Sequence, residues 1–259
     1  MVSYSRRQQF KYGSFAFLFV FIVLVFVYFF YFTTPESCFD GKLNQDETQV
    51  DCGGECSGVC AQGADVVVEW SRILLRTTGE VDVIALLRNP NRRFATEEIA
   101  YTFSLYDKDN LLITERRGVT FANKQETFLV LLRDLNVGER IPQRVFVELI
   151  QKNPWKEITT ALPQLSINNR AFLRASETVN GHAQLSATIT NTSFTPVQDI
   201  SVSAVVFDTS GNAIAASSTY LDELPAQTAR MISFSFPHLL PEITGRTQIF
   251  IRVQNTIKR

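Results

Sequence analysis

Two stretches about a hundred residues apart alternate apolar and polar side chains and then end in the same way. In EEIAYTFSLYDKDN, Ile99, Tyr101, Phe103 and Leu105 alternate with Ala100, Thr102 and Ser104. In QDISVSAVVFDTSGN, Ile200, Val202, Ala204 and Val206 alternate with Ser201, Ser203 and Val205. A period of two sends one set of side chains to one face, which is the pattern of a half-buried β-strand. Each run closes on an aromatic residue and an acid, Tyr106-Asp107 and Phe207-Asp208, and then turns at Asn110 or Gly211. The likeness extends in both directions, aligning Asn89 with Asn191, Phe121 with Leu224, and Gln151 with Gln254. The offset stays at roughly 100 residues, which is larger than a solenoid unit and suits a complete sandwich. The chain therefore reads as mostly β, with two tandem antiparallel β-sandwiches at residues 63–152 and 164–259. A linker at residues 153–163, carrying Pro154 and Pro163, separates them. Proline stiffens such a segment.

Ahead of the sandwiches lies FAFLFVFIVLVFVYFFYF, Phe15 to Phe32, with no charged residue, glycine or proline. As a helix it spans roughly 27 Å, close to the hydrocarbon thickness of a bilayer. Phenylalanine and valine are mediocre helix formers in water, but in lipid the backbone must satisfy its own hydrogen bonds. A cleaved signal peptide would show small residues at a cleavage site, and YFTTPESC has no A-x-A pattern. The expectation is an uncleaved anchor at residues 15–34 behind a tail at residues 1–14, meeting the lipid bilayer through residues 15–32. Arg6, Arg7 and Lys11 precede the span, and acids dominate the stretch after it. Positive charge stays cytoplasmic. The cell-membrane protein would thus be single-pass, with a cytoplasmic N-terminus and C-terminal domains that are extracellular or periplasmic.

That placement bears on residues 35–62, which hold all four cysteines: Cys38, Cys52, Cys56 and Cys60. The segment has too little apolar content to build a core, so a covalent or metal staple must hold it. Outside the cytosol disulfides are expected, and four cysteines allow three pairings. Cys56 and Cys60 are near enough to pair locally. Pairing Cys38 with Cys52 or Cys56 would instead enclose the acidic residues. A zinc site of four thiolates is the rival, but its usual paired knuckles are missing. Asp40, Asn44, Glu47 and Asp51 lie in a glycine-bent loop and are candidate Ca2+ ligands, since calcium takes hard oxygen donors. The competing reading is a solvated acidic turn.

The pattern C-x-D-G-x-x-N-x-x-E-T-x-x-D-C-G-G-x-C-x-x-x-C, from Cys38 to Cys60, resembles a short cysteine-rich module of secreted and cell-surface proteins. The resemblance implies an extracellular disulfide-bonded spacer, and its acidic positions are similar to calcium-coordinating repeats. Phe103, Leu105, Tyr106 and Asp107 spell F-x-L-Y-D, which resembles the FxLYD domain, an immunoglobulin-like sandwich of bacterial and archaeal envelope proteins. The second copy keeps only Phe207 and Asp208 of this motif. The resemblance implies a fold and an envelope setting, and it brings no catalytic residues.

Little else suggests chemistry. His182 and His238 read as exposed loop histidines. Asp107 and Asp208 suit turns, where a carboxylate accepts local N–H groups. Asn191-Thr192-Ser193 is a formal glycosylation sequon, but its alignment with Asn89 favours a structural turn. The doublets Arg92-Arg93 and Arg116-Arg117 read as a solvated face. With a net charge of −1, a nucleic-acid surface is not expected. The expected function is a non-enzymatic membrane-anchored protein that binds or scaffolds an envelope protein partner. The alternative is an accessory subunit of a secretion or surface-appendage assembly machine.

Overall fold

The alternating runs form strands. The computed structural model describes residues 4–32, 37–40, 42–44, 46–47, 50–56, 63–76, 80–151, 155–159, 161–238, 240–241 and 244–254. It falls into two units, Met1–Cys60 and Ala61–Arg259.

The first unit opens with helix α1, Tyr4–Phe32, which starts eleven residues ahead of the apolar run. Its window Lys11–Tyr28 has mean hydropathy 2.1 and none of it is buried against protein. By length and composition this window could cross a membrane. A helix apolar all round needs an apolar environment on every side. Beyond α1 the segment is held by the expected kind of staple, a disulfide between Cys38 and Cys56 with Cα atoms 5.6 Å apart.

Among the described residues the second unit has thirteen strands: β1 Val67–Leu75, β2 Val81–Arg88, β3 Phe94–Tyr106, β4 Leu112–Ala122, β5 Thr127–Leu135, β6 Arg144–Gln151, β7 Lys156–Glu157, β8 Leu165–Leu173, β9 Ala183–Asn191, β10 Val197–Phe207, β11 Ala213–Leu224, β12 Ala229–Phe236 and β13 Thr247–Val253. They form four sheets, ordered β1-β2-β5, β4-β3-β6, β12-β9-β8 and β11-β10-β13. Every strand pairing is antiparallel. The two halves share one wiring: β1 to β6 map in order onto β8 to β13, and each pair of sheets has the same strand order. The short β7 has no counterpart among the described residues. It lies in the expected linker, pairs with β3, and is flanked by the buried Trp155 and Ile158.

Phe103 and Leu105 are fully buried, as are Ala204 and Val206 at the matching places on β10. Each set joins the cluster between its own two sheets. The ladders also correct two alignments by one residue. Ile99 pairs with Gln151, and its counterpart Ile200 pairs with Val253, so Gln151 corresponds to Val253 and not to Gln254. Likewise Thr96 pairs with Ala122 as Val197 pairs with Leu224, so Ala122 takes the place assigned to Phe121. A one-residue slip exchanges the two faces of a strand, and only the ladder removes that ambiguity.

A third buried cluster lies between the two halves. Leu74, Ile84 and Leu129 from the outer face of β1-β2-β5 meet Val205, Phe207 and Phe250 from the outer face of β11-β10-β13. Trp70 stands edge-on to Phe207 with ring centroids 6.2 Å apart. β2 and the end of β10 are therefore buried on both faces, and the four sheets stack as layers. Because β1-β2-β5 corresponds to β8-β9-β12, the contact joins two non-equivalent faces, head to back.

Candidate functional site

Three places gather polar and titratable groups. The first is the cysteine segment. Asp40 accepts hydrogen bonds from the Asn44 side chain at 2.7 Å and the Lys42 N–H at 2.9 Å. These bonds, with that of Asn44 foremost, hold its carboxyl below the ordinary range. The Asn44 N–H reaches Glu47 at 3.3 Å. Glu47 also stands 3.3 Å from Cys56 Sγ, but a half-cystine sulfur carries no proton, so this is a contact and not a hydrogen bond. Cys38, Glu47 and Cys56 sit close enough for a metal. The two sulfurs are bonded to each other, however, and so are not thiolate ligands. Asp51 adopts a left-handed backbone, φ 59. Among the described residues, Asp40, Glu47 and Asp51 are not gathered into one carboxylate cluster. Cys52 is also disulfide-bonded; Cys60 lies outside the described residues. Gly54 is required sterically: a Cβ there would sit 1.7 Å from the Asp46 carbonyl oxygen.

The second place is the motif that recurs in both halves. Asp107 Oδ1 accepts the N–H groups of Asp109 and Leu111, both at 2.9 Å. Asp208 Oδ1 accepts those of Ser210 at 2.9 Å and Asn212 at 2.8 Å. The left-handed position falls at Asn110 in one copy and Gly211 in the other. Hydrogen bonds from the Asn212 side chain and backbone hold Asp208 below the ordinary carboxylate range. Asn89 and Asn191 are buried at the ends of β2 and β9. Asn89 donates to the carbonyls of Phe94 and Asn123 and accepts the Asn91 N–H. Asn191 donates to Thr195, Leu224 and Pro225 and accepts the Ser193 N–H. With its amide enclosed and fully used, Asn191 is a structural residue and not a glycan acceptor.

The third place is the seam between the halves, which sequence reasoning missed. His238 is not an exposed loop residue. Its side chain is wholly enclosed, with Nε2 3.1 Å from Asp82 Oδ2. Among the described residues, neither ring nitrogen has an aligned hydrogen-bond partner, nor does Oδ2, so this close contact is not a directed hydrogen bond. Asp82 Oδ1 accepts the Asp134 N–H at 2.9 Å and faces Arg76 at 3.4 Å. Burial, the largest single influence, pushes the Asp82 carboxyl up. The His238 contact, the Asp134 N–H and the Arg76 guanidinium together outweigh it and hold the group low. A groove of about 360 Å³ opens over the cluster, lined by Arg76, Arg133, Asp134, Ser217 and Thr219. The sequence signal was Asp82 itself, a lone acid inside VDVIALL: a buried charge must be paired. Farther along the seam Arg252 is buried. It bonds to Glu126 at 3.0 Å and lies 4.0 Å from the ring centres of both Phe121 and Phe128.

The basic doublets meet acids of their own chain. Arg93 pairs with Glu157, and Arg117 pairs with Glu115 at 2.8 Å. His182 is half-buried, and its carbonyl accepts the Thr178 hydroxyl at 2.8 Å.

No family model and no curated protein matches the chain. Among solved structures, the crystal structure of red sea bream transglutaminase matches at 11% identity and a TM-score of 0.25. The match covers 75% of this chain and 29% of that one. This chain thus spans less than a third of the matched protein, and a likeness this slight carries no argument.

Proposed function

We propose that this is a non-enzymatic, single-pass membrane protein of the cell envelope, presenting two Ig-like β-sandwiches outside the membrane for protein binding or scaffolding. One observation carries the reading: the recurring and seam-lining polar groups of the second unit tie its turns, strand ends and halves together. Asp107 and Asp208 close turns, Asn89 and Asn191 tie strand ends, and Arg252 with Glu126, like Asp82 with His238, joins the halves. Such a body offers shape and surface rather than reacting groups. The repeated wiring and the matched aspartate turns support placing the first half with FxLYD-like sandwiches and the second with a divergent copy. The apolar α1 supports an anchor, the basic residues before it support a cytoplasmic N-terminus, and the disulfide supports an oxidising compartment for the rest.

The test is protease accessibility in intact cells carrying a tag at either end. The C-terminal tag should be cleaved once any outer barrier is permeabilised, and the N-terminal tag only after membrane lysis. The reverse pattern sinks the reading. Affinity purification in mild detergent should then recover an envelope protein in stoichiometric amount.

A further inference from the structure

Among the described residues the outer edge of β6 is unpaired, since β6 ends the β4-β3-β6 sheet. Proteins usually blunt such edges with bulges, charge or cover. Here β1, β4, β5, β8 and β11 each shift register against a partner, whereas β6 runs against β3 through eight consecutive pairs without a break. Two other unbroken edges differ. β13 lies at the seam, where its Val253 carbonyl accepts the Asn123 side chain. β12 presents Arg230, Met231, Ser233 and Ser235 and carries no acid.

The sequence of β6 is RVFVELIQ. Val145, Val147 and Leu149 point to the core. Arg144, Phe146, Glu148 and Ile150 point out, with Phe146 59% and Ile150 52% exposed. Phe146 is steadied edge-on against Tyr106 at 5.5 Å. Arg144 bonds only to the Asn110 side chain, and neither Arg144 nor Glu148 has an ion-pair partner among the described residues.

We propose that two copies of this chain pair through β6, edge to edge and antiparallel, about a two-fold axis at Phe146. In that register Phe146 faces Phe146 of the second copy, and Arg144 faces Glu148 twice over. The segment is thus self-complementary in charge, as an isologous contact requires. Opposite charges and aromatic pairs directly across an antiparallel ladder stabilise it, and like charges there destabilise it. One carbonyl of this edge, that of Val145, already accepts the Ser71 hydroxyl at 3.1 Å. A carbonyl has two lone pairs and can take a ladder bond as well. The paired sheets would run continuously through both copies.

The inference does not depend on membrane topology, so its test uses full-length protein in detergent whichever side the domains occupy. Sedimentation with detergent matching should give two chains per particle at tens of micromolar. Phe146→Cys should form an intermolecular disulfide under mild oxidation. Arg144→Glu and Glu148→Arg should each shift the particle to one chain, because each sets like charges opposite one another. The double variant should restore the pair. These side chains are exposed, so circular dichroism spectra at low temperature should stay unchanged and exclude misfolding. A particle of one chain for the unaltered protein overturns the proposal. So does a dimer indifferent to both single substitutions, or one that Phe146→Cys does not cross-link.

Discussion

Phe103 and Ala204 occupy the same place in the two halves, and both are fully buried. The bulk missing at Ala204 is supplied within its cluster by Phe234 and Phe236 on the facing sheet. This is why the second copy can lose the F-x-L-Y-D spelling and keep the fold: a core conserves volume more strictly than identity. Replacing Phe103 by Ala should cost about 3–5 kcal/mol, the usual range for an enclosed phenylalanine. Urea unfolding measures it, and a loss below about 1 kcal/mol would mean the site collapses or Phe103 is not enclosed.

Acid sensitivity also belongs to single residues. Asp82 and Asp208 are both held below the ordinary carboxylate range. A carboxyl depressed in the folded state contributes stability that is fully present above its unfolded value of about 3.9 and is lost as pH falls through the folded value. The melting temperature should therefore hold between pH 7 and 5 as far as these groups are concerned, then fall below about pH 4. Asp82→Asn should lower stability at neutral pH and flatten the acid limb. An acid limb as steep as in the unaltered protein would exclude Asp82 as its source.

Between single residues and sheets, the constraint is often the space one strand leaves for another. Gly118 on β4 lies opposite Tyr101 on β3, and the tyrosine ring covers it: a Cβ at Gly118 would fall 2.2 Å from the Tyr101 hydroxyl. Gly118→Val should destabilise by about 1–3 kcal/mol through overpacking, despite the higher strand propensity of valine. Tyr101→Ala in the same background should recover part of the loss, read as a coupling in a double-mutant cycle of thermal melts. In the cysteine segment Gly54 has the same role against the Asp46 carbonyl. Gly54→Ala should scramble the Cys38–Cys56 pairing in non-reducing peptide maps, and an unchanged map would show that the loop can yield.

The second unit as a whole is tied together at the seam. Removing one partner of a buried ion pair costs about 3–5 kcal/mol, so Arg252→Met, which strands Glu126, should fall in that range. Calorimetry of the unaltered protein should give one cooperative transition for the second unit. Arg252→Met combined with Phe207→Ser should split it into two, because each half keeps its own core. The outer surface of β9 and β12 carries Ser186, Thr188, Thr190, Ser233 and Ser235, where β2 and β5 of the first half carry apolar residues.

The strands, their inward rows, the duplication, the cysteine staple and the aspartate turns were legible from sequence, because each follows from local periodicity, spacing or side-chain reach. The one-residue registers were not, since alternation specifies a face and leaves the ladder to long-range pairing. Val205 read as one outward member of an alternating strand. Only the second half, packed against Leu74, Ile84 and Leu129, makes that face interior. His238 followed the same course: it read as an exposed loop histidine and is buried beside Asp82 of the other half. Sequence determined what each strand could bury, and tertiary packing decided which surfaces remained to be buried, because that depends on neighbours a hundred residues away.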